Sequence, residues 1–264
     1  MLYKKFQDEE LSVFAMGCMR LPVVDGDDTN INEQAAAEMI AYAIEHGVTY
    51  FDTAWGYHGG NSERVMGKIL AQYPRELFNL ASKFPGYDLA NMGKTEEIFE
   101  EQLRKCGVDY FDFYLMHAQN ADNFKKFKAC RAYETAFALK AEGRIRHVGL
   151  SFHDRAEVLD QILTEYPQVE VVQIQFNYLD YDDIAVQSRK CYEVCRKHGK
   201  PVLVMEPVKG GSLVNLPEEA KKVLDDLHGG SPASYAIRFA AGFPGMMMVL
   251  SGMSDLEQMK DNLS

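Results

Sequence analysis

Val48-Thr49-Tyr50-Phe51-Asp52-Thr53-Ala54-Trp55-Gly56-Tyr57-His58-Gly59-Gly60-Asn61-Ser62-Glu63 decides how the rest of the chain is read. Its first residues are β-branched and aromatic, the composition of a buried strand, and the run ends on the carboxylate of Asp52. A loop with three glycines follows and carries Trp55 and Tyr57. Val65, Met66, Ile69 and Leu70 then recur at helical spacing, which predicts a helix capped by Asn61 or Ser62. A carboxylate at a strand end, with a phenol five residues on in the next loop, puts two ionisable groups in one mouth. Such a mouth belongs at the C-terminal rim of a parallel barrel, where βα loops carry the chemistry.

Outward from this unit the same alternation continues in both directions. Leu2 to Phe6 and Leu11 to Phe14 flank a polar turn, Gln7 to Glu10, and predict a small hairpin. Val13 to Met19 reads as a first interior strand, and Glu33 to Glu45 as a helix stopped by Gly47. Downstream, strands are predicted at Leu77 to Lys83, Tyr110 to His117, Ile145 to Ser151, Val171 to Phe176, Pro201 to Glu206 and Met246 to Ser251. Helices are predicted between them at Thr95 to Cys106, Lys125 to Glu142, Arg155 to Glu165 and Ile184 to His198, then near Glu218 to Leu227, Pro232 to Ala241 and from Ser254 onward. Eight strands joined by helical crossovers suit a closed (β/α)8 TIM barrel or an open doubly wound sheet. No GxGxxG follows any strand, so a dinucleotide-binding open sheet has little support. With no linker and no shift in composition, the expectation is one barrel domain spanning 1–264 behind an N-terminal β-hairpin.

The bulk composition narrows the function. At 264 residues and 47% apolar content the chain can fill the core of one barrel. A formal net charge of −11 argues against a nucleic-acid partner, while leaving room for a local basic pocket facing a cofactor phosphate. The five cysteines include no CxxC pair and read as reduced thiols without a metal. No stretch approaches the roughly 18 apolar residues of a membrane helix, and the first residues hold no apolar leader core. A soluble cytoplasmic protein with no membrane partner is expected.

Polar residues at the predicted strand ends locate the chemistry. Asp52 ends the second interior strand, Lys83 the third and His117 the fourth; 31 residues separate the first pair and 34 the second, each close to one βα unit. Their side chains are therefore expected at adjacent points of one rim, with Tyr57 reaching the same space. Lys83 can pair with Asp52 and, by its charge, is expected to lower the proton affinity of Tyr57. His117 can hydrogen-bond a carbonyl oxygen that Tyr57 protonates. What no side chain supplies is the electron pair, and a nicotinamide cofactor would provide it as hydride. Taken singly, Asp52 and Lys83 also suit a structural ion pair, His117 a core histidine and Tyr57 loop packing; their joint placement favours chemistry.

In Phe51-Asp52-Thr53-Ala54 with Tyr57 and Asn61-Ser62-Glu63, Leu80-Ala81-Ser82-Lys83, Tyr114-Leu115-Met116-His117, Gly143 to Ser151, Val171-Val172-Gln173 and the closing segment Ser251 to Asn262, the chain resembles the aldo-keto reductase superfamily over essentially its whole length. The resemblance implies a (β/α)8 barrel, the tetrad Asp52, Tyr57, Lys83 and His117, and NADP(H)-linked reduction of a small-molecule carbonyl with Tyr57 as general acid. It further implies cofactor contacts from Gly17, Cys18, Met19, Asp52, Ser151, Gln173, Met205, Pro207, Val208, Gly210, Gly211, Leu213, Gly252, Met253, Ser254, Gln258 and Asn262. Lys209 is a candidate for added charge along the pyrophosphate, and Ser254 for a helix-start anion site. Gly252 and Gln258 stand where relatives that prefer NADPH often carry lysine or arginine, so NAD(H) stays open beside NADP(H). Gly17-Cys18-Met19-Arg20-Leu21-Pro22 and Tyr57-His58-Gly59-Gly60 look most like a bacterial subgroup whose members often continue into a ferredoxin-like iron–sulfur extension. The expectation is therefore a piece of a longer protein, with a redox partner reached through that absent extension.

Two other functions fit the same residues. Lys83 at a barrel lip could form a Schiff base in a lyase, though Asp52 beside it would keep the amine protonated. A barrel of this kind could also serve as a nucleotide-sensing subunit that binds cofactor to regulate a partner.

Overall fold

The computed structural model describes residues 1–264. Strands β1 (Tyr3–Phe6) and β2 (Glu9–Ser12) form the antiparallel hairpin, turning at Gln7 and Asp8. Eight parallel strands follow: β3 (Phe14–Gly17), β4 (Tyr50–Asp52), β5 (Asn79–Phe84), β6 (Phe111–Gln119), β7 (Ile145–Phe152), β8 (Val171–Gln175), β9 (Val202–Met205) and β10 (Met246–Gly252). They close in the cyclic order β10-β3-β4-β5-β6-β7-β8-β9, which makes the fold a (β/α)8 TIM barrel. Around it run α1 (Glu33–Glu45), α2 (Ser62–Leu70), α3 (Thr95–Cys106), α4 (Ala121–Ala129), α5 (Ala132–Ala141), α6 (Ala156–Glu165), α7 (Ser188–Lys197), α8 (Glu218–Asp226), α9 (Pro232–Ala241) and α10 (Leu256–Asn262).

Alternation along each strand divides the apolar residues into two cores. Ala15, Tyr50, Phe113, Leu115, Val171, Leu203 and Met248 point into the barrel, and Phe6 and Leu11 of the hairpin join them as a plug. Phe51, Leu80, Tyr114, Val148, Val172 and Val204 point outward against the helices. Two glycines are required by close approach. A Cβ on Gly149 would lie 2.8 Å from the Val171 carbonyl oxygen across the β7–β8 seam, and one on Gly67 would lie 2.5 Å from the Cys106 carbonyl oxygen, where α2 meets α3.

Several predicted elements differ in detail. The helix expected over Lys125 to Glu142 breaks into α4 and α5, because Arg131 takes a left-handed conformation at φ 55°. The segment from Ile184 forms turns, and α7 begins only at Ser188 after Gln187 at φ 54°. Neither Asn61 nor Ser62 caps α2. Asn61 donates instead to the Thr29 carbonyl at 2.9 Å, and Ser62 to the Cys18 carbonyl at 3.1 Å, which ties this loop to the segment after β3. No helix is long and apolar enough to cross a membrane.

Candidate active site

Barrel register explains which side chains converge. Asp52 pairs with Ala81, an interior residue, so Lys83, two positions on, faces the interior one layer higher. Lys83 pairs with Leu115, also interior, so His117 rises from the same face of β6. Gln173 follows the interior Val171 by the same rule. Asp52 lies level with Gly17, and Gly17 with Gly252, so the β10–β3–β4 side of the mouth is lined by two glycines beside one carboxylate.

The centre of the site is a buried ion pair. Lys83 Nζ lies 2.5 Å from Asp52 Oδ1, donates to the Thr53 carbonyl at 2.9 Å and stands 3.2 Å from the Tyr57 hydroxyl. Lys83 is 1% exposed and Asp52 3%, while the Gln173 amide donates to the second Asp52 oxygen at 3.3 Å. Burial would lower the proton affinity of Lys83, but Asp52 and Tyr57 outweigh it and raise the pKa to about 12. The amine is therefore an ammonium with all three donors engaged. Burial raises the Asp52 carboxyl against the pull of Lys83.

Tyr57 departs from expectation. Burial outweighs the Lys83 charge and holds the phenol above its ordinary value, so Tyr57 keeps its proton throughout the neutral range. The expected lowering by lysine is present but is the smaller effect. His117 stands edge-on to the Tyr57 ring at 6.0 Å between centroids, and to Tyr87 at 5.4 Å. Burial, then the charge of Lys83, push its pKa well below the usual imidazole value, so the ring is uncharged and carries one N–H. Its Nδ1 is buried without a partner.

These groups open on a cavity of about 960 Å³. Asp52, Tyr57 and His117 line it, as do Gly17, Met19, Ser151, Gln173, Met205, Pro207, Val208, Gly210, Gly211, Gly252, Ser254, Gln258 and Asn262. Lys83 lies directly beneath. Cys18, Leu213 and Met253 do not line it; they are nearly inaccessible, with Cys18 and Met253 in the helix-side core. Lys209 is also set apart from the cavity, because it forms an ion pair with buried Asp180. Asp180 also accepts from Gln175 at 2.6 Å and from Asn177 at 2.7 Å, and Asn177 donates to the Glu206 carbonyl at 3.1 Å. Lys209 thus fastens the loop after β9 to the loop after β8. At the expected anion site, Ser254 lines the cavity with its backbone amide engaged within the chain. Asp255 caps α10 by accepting from the Gln258 amide at 2.8 Å, and the Ser254 amide is taken by the Gln258 side chain at 3.0 Å. A carboxylate at that helix start opposes a phosphate there.

Sequence reasoning missed Arg20 and His153. Arg20 is the one arginine or lysine in the cavity wall. Its side chain packs 3.5 Å from where a Cβ on Gly252 would sit, and its Nη2 lies 3.2 Å from the corresponding point at Gly210. It therefore spans the gap between the loop after β9 and the end of β10. Arg20 packs in ordinary contact over Gly252, and this pairing of distant positions leaves no local signal. No group of three or more His, Cys, Asp or Glu side chains is arranged to hold a metal.

A family model described as the aldo/keto reductase family matches residues 14–264. The chain belongs to the aldo/keto reductase family. Among curated relatives, the NADH-specific methylglyoxal reductase of Escherichia coli is 26% identical over 209 residues, covering 73% of this chain and 61% of that protein. Probable aldo-keto reductase 1 of Glycine max is 28% identical over 216 residues, covering 78% and 58%. This aldo/keto reductase chain thus spans about three fifths of the length of these two relatives. A thermostable aldo-keto reductase crystallised with the inhibitor epalrestat superposes with a TM-score of 0.77 at 22% identity, covering 100% of this chain and 93% of that one. An aldo-keto reductase from Klebsiella pneumoniae in complex with NADPH gives 0.75 at 20% identity, covering 100% and 89%.

Proposed function

We propose that this chain reduces the carbonyl of a small aldehyde or ketone to an alcohol, with NADPH or NADH as hydride source. The observation that carries this reading is the protonated Tyr57 hydroxyl, held 3.2 Å from the Lys83 ammonium at the floor of a large cavity. A volume of about 960 Å³ suits an extended dinucleotide. So does its wall, which runs from a phenol and an imidazole to glycine backbone at Gly210 and Gly211, both at positive φ, beside the single cation Arg20. When bound, the reduced nicotinamide supplies the hydride.

Gly17, Met19, Ser151, Gln173 and Met205 would hold the nicotinamide half in this proposal, the soft Met205 thioether suiting an aromatic ring. Pro207, Val208, Gly210 and Gly211, with the nearby Arg20 cation, would hold the pyrophosphate, and Gly252, Ser254, Gln258 and Asn262 would hold the adenosine. Cys18, Leu213 and Met253 support this wall from behind. His117 gives its N–H to the substrate carbonyl oxygen and fixes its direction. Tyr57 passes its proton to that oxygen as negative charge grows there, and Lys83 stabilises the phenolate left behind. Asp52 keeps the ammonium aimed at Tyr57. The relatives' names, one for NADH and one for a complex with NADPH, support either nicotinamide. Five free cysteines agree with a cytoplasmic setting. A Schiff-base lyase is disfavoured, because the Lys83 amine holds its proton up to about 12.

Fluorescence titration with NADPH and NADH, followed by an aldehyde, ketone and quinone panel with the tighter cofactor, tests the proposal. Binding with turnover of at least one carbonyl is expected. Tight binding with no turnover of any would overturn it in favour of a nucleotide-sensing role.

A further inference from the structure

Trp55 lies two residues before Tyr57 but takes no part in the cavity wall. Its ring faces α3, where the Lys105 ammonium sits 3.5 Å from the ring centroid. The Lys105 side chain is 8% exposed, and its Nζ lies 3.2 Å from one oxygen of Glu63, whose side chain is fully buried. The other Glu63 oxygen accepts from Ser82 and from the Gln102 amide, both at 2.6 Å. That same Gln102 nitrogen lies 3.1 Å from the Lys83 carbonyl, and the Tyr114 hydroxyl donates to the Gln102 oxygen at 2.6 Å. An unbroken chain of polar contacts therefore runs from the loop that presents Tyr57 to the backbone that presents Lys83.

A buried ion pair is a poor way to gain stability, since well-packed apolar residues of the same size do as well or better. It does hold fixed distances and directions. A desolvated ammonium over an indole face is among the stronger cation–π arrangements, and its strength falls as the ring moves away. We propose that Lys105 is a positioning residue for the proton donor: by clamping Trp55 against the Glu63–Gln102 network, it sets the separation of the Tyr57 hydroxyl from Lys83. The proposal rests on Tyr57 being the proton donor. Neither Lys105 nor Trp55 lines the cavity, so cofactor affinity lies outside its reach.

Trp55 is the only tryptophan in the chain, so its emission reports this contact without interference. Lys105→Met removes the ammonium, Lys105→Arg restores a cation that can both stack and pair, and Trp55→Leu removes the ring while leaving the Lys105–Glu63 pair intact. Expected for Lys105→Met are a shifted Trp55 emission and a kcat lower by about 10- to 100-fold, the scale of a misplaced reacting group. Cofactor Kd should be unchanged, and Lys105→Arg should restore emission and most of kcat. Should Lys105→Met fail to fold, Trp55→Leu carries the test, with the same kcat loss at unchanged cofactor Kd. Wild-type kcat in a folded Lys105→Met or Trp55→Leu protein overturns the proposal, as does a loss confined to cofactor binding or an equal loss in Lys105→Arg. If the wild-type protein turns over no carbonyl, the reductase reading fails. The positioning role then falls with it, whereas an active wild type with an equally active Lys105→Met overturns the positioning role alone.

Discussion

Replacing Lys83 by methionine removes the charge at the centre of the site while keeping a long unbranched side chain. In the native protein the Asp52 carboxylate, 3% exposed, takes the ammonium at 2.5 Å and the Gln173 amide at 3.3 Å. The substitution leaves that charge with the amide alone. Removing one partner of a buried pair costs roughly 3–5 kcal/mol, because the remaining ion has lost its water and gained nothing in exchange. At about 2–4 °C per kcal/mol for a chain of this size, the melting temperature should fall by roughly 6–20 °C. Asp52 can relieve part of this by taking a proton. Burial raises its pKa in the fold, so the folded state binds that proton more tightly than the unfolded chain does. The deficit should therefore shrink as pH falls. Adding Asp52→Asn removes the stranded charge and should recover at least half of the lost stability. Thermal unfolding of wild type, both single variants and the double variant, followed by circular dichroism, gives the full cycle. A loss below about 1 kcal/mol in Lys83→Met, the scale of an exposed pair, would refute the reasoning. So would a double variant less stable than Lys83→Met.

At the base of the barrel, His147 sits between Glu170 at 3.1 Å and Glu9 at 3.9 Å, and these carboxylates raise its pKa despite burial. Glu170 is held down at about 2, burial opposing and His147, Lys140 and Gln7 prevailing. The His147 contribution should be complete below about pH 6.5 and disappear as pH rises through its folded value, while that of Glu170 is complete above about 4.5 and lost towards 2. In melting temperature against pH, His147→Gln should flatten the alkaline limb; an unchanged limb would contradict this. Arg20→Ala should weaken NADPH and NADH binding alike, by roughly tenfold or more for a lost charged hydrogen bond, as read by fluorescence titration at fixed salt. Gly67→Ala drives a methyl to 2.5 Å from the Cys106 carbonyl oxygen and should cost about 1–3 kcal/mol in denaturant unfolding.

The barrel was legible because its signal is local. Most βα units carry their own strand run and apolar helix face, several with a glycine stop such as Gly47, Gly107 or Gly143, and strand-end spacing alone brought Asp52, Lys83 and His117 to one mouth. Breaks such as Arg131 and Gln187 were not legible, since a left-handed residue that is neither Gly nor Asn leaves no mark in the pattern. The sense of the Tyr57 shift was hidden for a different reason. The sequence names the nearby lysine but not the depth of burial, and burial is the larger effect. Arg20 against Gly252 and Lys209 on Asp180 are pairings between separate βα units, which no window of sequence brings together.

Single-turnover mixing of the cofactor-saturated protein with an aldehyde, comparing wild type with Tyr57→Phe, tests proton donation by Tyr57 most directly. With the phenolic proton absent and the cavity wall otherwise intact, cofactor Kd should stay within a few-fold while the hydride-transfer rate falls by about 10²–10⁴. An unchanged rate in Tyr57→Phe, or a loss explained entirely by weaker cofactor binding, would contradict it.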